Sequence, residues 1–221
     1  MLEILGLNKS YGSKIVLQNL NTSFHEGNIY GIIGGNGAGK TTLFRCICQL
    51  ENYSGSIKHE VYTNSLKNNI AYLPTEPYFY PKITGNEFIE FYRKISGRKI
   101  DRKLDEIKEL FELPLNSYID KYSTGMKKKI AFLAVLNLQR SIYILDEPFN
   151  GLDIHAVLLF KKIILKLKET STIIVSSHIL DSLKNISDTI QYLQDGKFEK
   201  EYFANEYDKI EDDIYNSLKI K

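Results

Sequence analysis

The chain has 221 residues, 43% of them hydrophobic and 25% charged, which suits one globular domain, or a domain with a subdomain, around a full core. A formal net charge of +2 implies no strongly basic face and argues neither for nor against a nucleic-acid partner; with no basic arm in the sequence, none is expected. No apolar run reaches the ~18 residues of a membrane helix, and the start Met1-Leu2-Glu3-Ile4-Leu5 lacks the basic region and apolar core of a signal peptide.

The first segments alternate in the manner of strands. Leu2 to Leu7, Ile15 to Phe24 and Gly55 to Tyr62 predict an antiparallel sheet. Between the second and third lies Ile29 to Ile33, a short buried strand. The loop Gly34-Gly35-Asn36-Gly37-Ala38-Gly39-Lys40-Thr41-Thr42 follows it, and then Leu43, Phe44, Ile47 and Leu50 are spaced for one helix face. Cys46 and Cys48 fall in this helix. A metal pair needs further ligands and none is near, so two buried reduced thiols of a cytosolic protein are the expectation.

Ile70 to Leu73 reads as another strand, ended by Pro74. From there to about residue 140 the pattern is helical. Thr84-Gly85-Asn86-Glu87 is a capping box with Phe88, Ile89, Phe91, Tyr92 and Ile95 behind it. Asp101 caps a second helix bearing Leu104, Ile107, Leu110 and Phe111, and a third begins near Gly125 and carries Ile130, Leu133, Ala134 and Leu138. Parallel-strand signals then return at Ile142 to Leu145 and Thr172 to Val175, with a helix from Ile154 to Glu169 between them. Strands Thr189 to Leu193 and Phe198 to Phe203 flank the turn Asp195-Gly196, and Tyr207, Ile210, Ile214 and Leu218 are spaced for a terminal amphipathic helix.

The loop at residues 34–42 has two glycines four residues apart, then Lys and Thr, between a strand and a helix. That composition serves one chemistry. Backbone N–H groups must converge on phosphate oxygens, which asks for residues free of a Cβ. Lys40 adds a point charge for the β- and γ-phosphates, the Thr41 hydroxyl ligates Mg²⁺, and the helix dipole favours the anion. The chain is therefore expected to bind a nucleoside triphosphate.

Asp146 and Glu147 come directly after the strand Ile142 to Leu145. At a strand end beside the phosphate loop, the first carboxylate holds Mg²⁺ and the second accepts a proton from attacking water. His178 follows the strand Thr172 to Val175, at the edge where ligands bind in such sheets. Tyr11, in Lys9-Ser10-Tyr11-Gly12 on an early loop, suits either base stacking or ordinary packing, and spacing alone does not choose. Tyr122-Ser123-Thr124-Gly125-Met126 opens a helix whose N–H groups and Ser123 hydroxyl offer an anion site. Lys127, Lys128 and Lys129 after it read as a solvated helix face.

In this order the elements resemble the nucleotide-binding domain of ATP-binding cassette (ABC) proteins, over nearly the whole chain from Tyr11 to His178 and into the final strands. The resemblance implies an α/β fold: a P-loop NTPase core with a flanking antiparallel β-sheet and a helical subdomain. It places the core at about residues 1–74 and 141–204, the helical part at about 75–140 and a C-terminal helix at 205–221 of a single ABC ATPase domain. Tyr11 looks like the adenine-stacking aromatic of the A-loop. Residues 34–42 look like Walker A, and 142–147 like Walker B with Glu147 as its catalytic carboxylate. Asn150-Gly151-Leu152-Asp153 looks like the D-loop and His178 like the switch histidine. The cofactors implied are ATP and Mg²⁺, with Thr41, Asp146 and Thr75 on the metal side.

Two departures stand out. The family signature, usually Leu-Ser-Gly-Gly-Gln, keeps only Ser123 and Gly125 here, against Tyr122, Thr124 and Met126. In the family this segment caps the ATP of a second subunit in a head-to-tail dimer, and that capping is expected to persist. Thr75 stands where the Q-loop carries Gln; its shorter side chain reaches the metal or water through an intervening water, which implies slower or differently coupled hydrolysis. The resemblance implies a cytosolic ATPase subunit on the cytoplasmic face of the membrane. It powers a separate integral membrane permease, more like export-type systems than sugar importers, and pairs with a second copy or a paralogue. The alternatives are a soluble cassette protein acting on ribosomes or DNA, and a nucleotide-binding regulatory module with little hydrolysis.

Overall fold

A computed structural model describes residues 1–62, 66–98 and 102–217. Strands β1 (Leu2–Tyr11) and β2 (Lys14–Phe24) form a hairpin through Gly12-Ser13. After β3 (Ile29–Ile33), the phosphate-type loop and helix α1 (Lys40–Ile47), strand β4 (Ser54–His59) pairs antiparallel with the other edge of β1. This three-stranded sheet, ordered β2-β1-β4, is the antiparallel unit the alternation predicts.

Strand β5 (Ile70–Leu73) leads into helices α2 (Gly85–Ser96), α3 (Arg102–Leu110) and α4 (Thr124–Asn137). Then come β6 (Ile142–Leu145), α5 (Ile154–Leu167), β7 (Thr172–Ser177), the short α6 (Leu180–Lys184), the hairpin β8 (Thr189–Gln194) and β9 (Lys197–Phe203), and α7 (Ile210–Ser217). The second sheet runs β5-β6-β7-β3-β8-β9, parallel except for β9.

Both faces of this sheet are covered, which is why its strands read as unbroken apolar runs. Ile29, Tyr143, Leu145 and Ile173 pack on one side with α4 and α5, where Phe132 stacks on Phe160 at 4.1 Å between centroids. Ile32, Ile142, Ile144 and Ile174 face the other way, onto α1 and the antiparallel sheet. Alternate side chains of each strand therefore enter different cores.

The capping box of α2 forms: the Glu87 N–H donates to Thr84 Oγ1, and Glu87 Oε2 accepts from the Thr84 N–H at 2.8 Å. Three expected faces are corrected. Leu50 lies beyond the end of α1 and is exposed, because the chain leaves the helix at Cys48. Phe91 and Ile95 are exposed, since α2 turns Phe88 and Ile89 towards α4 and leaves its flank outside. Leu110 ends α3 and is exposed, while Phe111 is buried. Strand β4 stops at His59, short of Tyr62. Tyr11 closes strand β1 instead of sitting on a loop. The Asp101 cap and Leu218 fall outside the described residues.

Candidate functional site

The parallel register sets the site. Leu73, Leu145 and Val175 lie side by side across β5, β6 and β7, and Ile33 of β3 pairs with Ser177. Whatever follows each strand therefore gathers at one sheet edge, where ligands bind in open α/β folds. A cavity of about 840 Å³ opens there, lined by the loop from Gly35 to Thr42 together with Tyr11, Lys14 to Val16, Thr75, Glu147, Asn150, His178, Asp195 and Gly196.

The loop needs glycine for two distinct reasons. At Gly34 a Cβ would come within 2.4 Å of the Leu193 carbonyl oxygen, a backbone atom that cannot step aside. At Gly39 the backbone has φ +109°, closed to L side chains. The α1 ladder begins with Leu43 N–H donating to the Gly39 carbonyl, so the amides of Lys40, Thr41 and Thr42 precede it and present the positive end of the helix. Lys40 is 7% exposed; its Nζ donates to the carbonyls of Gly34 at 2.7 Å and Gly35 at 3.2 Å and lies 3.4 Å from Glu147 Oε1.

Asp146 is fully buried. Its Oδ2 accepts from the Thr41 hydroxyl at 2.6 Å and its Oδ1 from Ser176 Oγ at 2.6 Å. A hard cation bound mainly by phosphates and water asks for one or two such oxygens from the protein. The Thr41–Asp146 pair fits Mg²⁺ in that manner. Among the described residues no group of three or more His, Cys, Asp or Glu is arranged to hold a metal on its own.

Glu147 has φ +48°, a left-handed backbone uncommon outside glycine. Its N–H donates to Ser176 Oγ at 3.0 Å, and its Oε2 lies 3.0 Å from His178 Nδ1. The carboxylate thus sits between the Lys40 ammonium and the His178 ring at the cavity wall.

Tyr11 is 45% exposed, with Lys9 Nζ 4.6 Å from the centre of its ring, held there by Glu51 at 3.1 Å and the Asn52 carbonyl at 2.8 Å. Ser123 caps α4, its Oγ accepting from the Met126 N–H at 3.3 Å. Ser123 and Gly125 lie apart from the cavity lining, with Gly125 beside the Gly151 carbonyl. Cys46 and Cys48 are buried and free, and burial pushes their thiols up to about 11 and about 12.

Sequence reasoning misses two residues. Ser176 joins Asp146 to the Glu147 backbone, and its only sequence signal is a hydroxyl at the end of an apolar strand. Lys128 corrects the solvated-face expectation: it is 4% exposed, and burial pulls its ammonium below the usual lysine range while Asp146, Glu147 and Glu76 work in the opposite sense.

A family model described as "ABC transporter" matches residues 17–150, more than half of the chain. The chain belongs to the ABC transporter family. An ABC transporter ATP-binding protein of Methanocaldococcus jannaschii, itself uncharacterized, is 34% identical over 218 residues, covering 96% of this chain and 78% of that one. A lantibiotic transport ATP-binding protein of Streptococcus pyogenes is 33% identical over 222 residues, covering 93% of both. A solved structure of an ATP-binding subunit of an ABC transporter superposes with a TM-score of 0.87 at 27% identity, over 93% of this chain and 91% of that one. This ABC protein is an ATP-binding subunit and an ATPase. No helix among its described residues is long and apolar enough to cross a membrane.

Proposed function

We propose that this ATPase subunit drives a separate membrane permease that exports its substrate, working on the cytoplasmic face of the membrane as one of a pair of subunits with ATP at their interface. The observation that carries the reading is the Glu147 carboxylate held between Lys40 and His178 at the wall of the phosphate cavity. A carboxylate so placed serves as general base for the water that attacks the γ-phosphate, with His178 orienting it. The amides of residues 34–42 and the Lys40 ammonium take the phosphates, and one face of Tyr11 takes the adenine ring. Thr41 and Asp146, with Thr75 through water, would hold Mg²⁺, which neutralises charge on the phosphates.

Ser123 and Gly125 lie at a capped helix start away from the chain's own cavity, an arrangement that suits contact with the ATP of the other subunit. The export direction is taken from the departures of residues 122–126 from the family signature, and a lantibiotic transport ATP-binding protein is among the relatives. Tyr78, Tyr80, Phe91 and Ile95 are exposed on the segments that continue from Thr75, and an apolar surface of this kind suits the permease.

The test is ATP turnover and binding of Glu147→Gln. Turnover falls by at least about 10²-fold while ATP still binds; a variant as fast as wild type overturns the catalytic assignment. Purification of the tagged subunit from detergent-solubilised membranes of its own cells is expected to recover it with an integral membrane protein, and recovery of the subunit alone overturns the permease assignment.

A further inference from the structure

The lysine run after Gly125 divides sharply. Lys127 and Lys129 are half-buried, whereas Lys128 is 4% exposed. Its Nζ donates to the Thr75 carbonyl at 2.8 Å and to the Glu147 carbonyl at 3.1 Å. The Asn150 N–H also donates to the Glu147 carbonyl, at 3.3 Å. Burying an ammonium is unfavourable unless it is well paired, and an apolar residue of the same length would fill this space without that cost. What the apolar residue would not do is join these two carbonyls.

Glu147 needs such a restraint. Its left-handed backbone persists only where the surroundings over-determine it. Ser176 secures the N–H side, while Lys128 and Asn150 secure the carbonyl side. We propose that Lys128 is a positioning residue: its ammonium fixes the main chain of Glu147 to the loop at Thr75 and binds both to α4, which is capped by Ser123 and carries Gly125 in its first turn. Lys128 lies three residues beyond Gly125 on the same helix face, so a displacement of that first turn is passed to the backbone of the base. The inference rests on the role proposed for Glu147.

The experiment compares steady-state ATPase kinetics and calorimetric ATP binding for Lys128→Met, Lys128→Gln and Lys128→Arg beside Glu147→Gln. Lys128→Met is expected to lower kcat about ten- to a hundredfold, the scale of a small misplacement of a catalytic group. KM and ATP affinity stay within about twofold, since the loss falls on the chemical step. Lys128→Arg recovers part of the lost kcat, because a guanidinium still donates to both carbonyls. Lys128→Gln, too short to span the two, behaves as Lys128→Met and serves if that variant does not fold.

An unimpaired kcat in Lys128→Met or Lys128→Gln overturns the inference. So does an arginine variant no better than methionine, a loss of ATP binding in step with kcat, or a failure of all three to fold. Wild-type turnover in Glu147→Gln overturns the catalytic role proposed for Glu147, on which the inference rests. An inactive Glu147→Gln beside an unimpaired Lys128→Met overturns only the role given to Lys128.

Discussion

The ring of His178 and the carboxylate of Glu147 meet at 3.0 Å, Nδ1 to Oε2, although they are separated by 31 residues of sequence. Adjacent parallel strands in matched register bring them together: Leu145 pairs with Val175, and the residues beyond emerge at the same edge. With the ring removed, Lys40 remains the ionic partner of Glu147 at 3.4 Å. His178→Ala is therefore expected to lower kcat by about 10- to 100-fold, less than the loss of the base itself. Phosphate release at saturating ATP checks this, and wild-type turnover would remove His178 from the mechanism.

Asp146 accepts two hydroxyl hydrogen bonds of 2.6 Å, from Thr41 and Ser176, in a fully buried position. Asp146→Asn keeps the shape and deletes the charge that would face Mg²⁺. Wild-type ATP affinity is expected to fall when EDTA replaces Mg²⁺, and the variant is expected to lose that difference. Calorimetric titration of both proteins with and without EDTA measures it, and an undiminished Mg²⁺ dependence in Asp146→Asn would remove the residue from the metal site.

The phosphate loop was legible because its requirements are local: two glycines, a lysine and a threonine must fall within nine residues between a strand and a helix. The carboxylates and His178 were legible as residues placed at the ends of apolar strands. Lys128 was not, because its burial depends on where α4 lies against β5 and β6, and a lysine triplet carries no mark of which member turns inward. Phe91 and Ile95 misled for the converse reason. Their spacing is that of a core face, yet only a narrower stripe of α2 meets α4.

Thr75 lines the cavity, and its carbonyl is occupied by Lys128. Its shorter side chain would reach the metal or water only through an intervening water, where a glutamine would reach directly. Thr75→Gln is expected to raise the basal ATPase rate with little change in stability, since the substitution adds reach at an open wall. Steady-state kinetics at saturating ATP are the check. Identical turnover in both proteins would mean that position 75 has no part in hydrolysis.

Phe160 is fully buried and stacks on Phe132 at 4.1 Å, joining α5 to α4 beneath the site. Truncation leaves a cavity between two helices that are held by the sheet and cannot close around it. Phe160→Ala is expected to cost about 3–5 kcal/mol. In a chain of this size that lowers Tm by roughly 10 °C. Thermal unfolding followed by circular dichroism measures it, and a shift of under about 2 °C would show that the helices collapse into the space.

His59 closes strand β4, 8% exposed, with its Nδ1 accepting from the N–H groups of Val61 at 3.2 Å and Tyr62 at 3.4 Å. Burial holds its pKa below the ordinary histidine value, and the N-terminal ammonium adds to the effect against Glu26 and Glu60. The folded chain thus prefers the neutral ring. Between the depressed folded value and the unfolded value of about 6.5, the unfolded chain binds more protons, so stability rises with pH. The contribution is present above about pH 6.5 and is lost as pH falls through the window below it. His59→Asn retains an acceptor near Nδ1 but does not titrate. Tm measured from about pH 7.5 down to about pH 5 should fall more steeply for the wild type than for this variant. Parallel curves would place the acid sensitivity of the fold elsewhere.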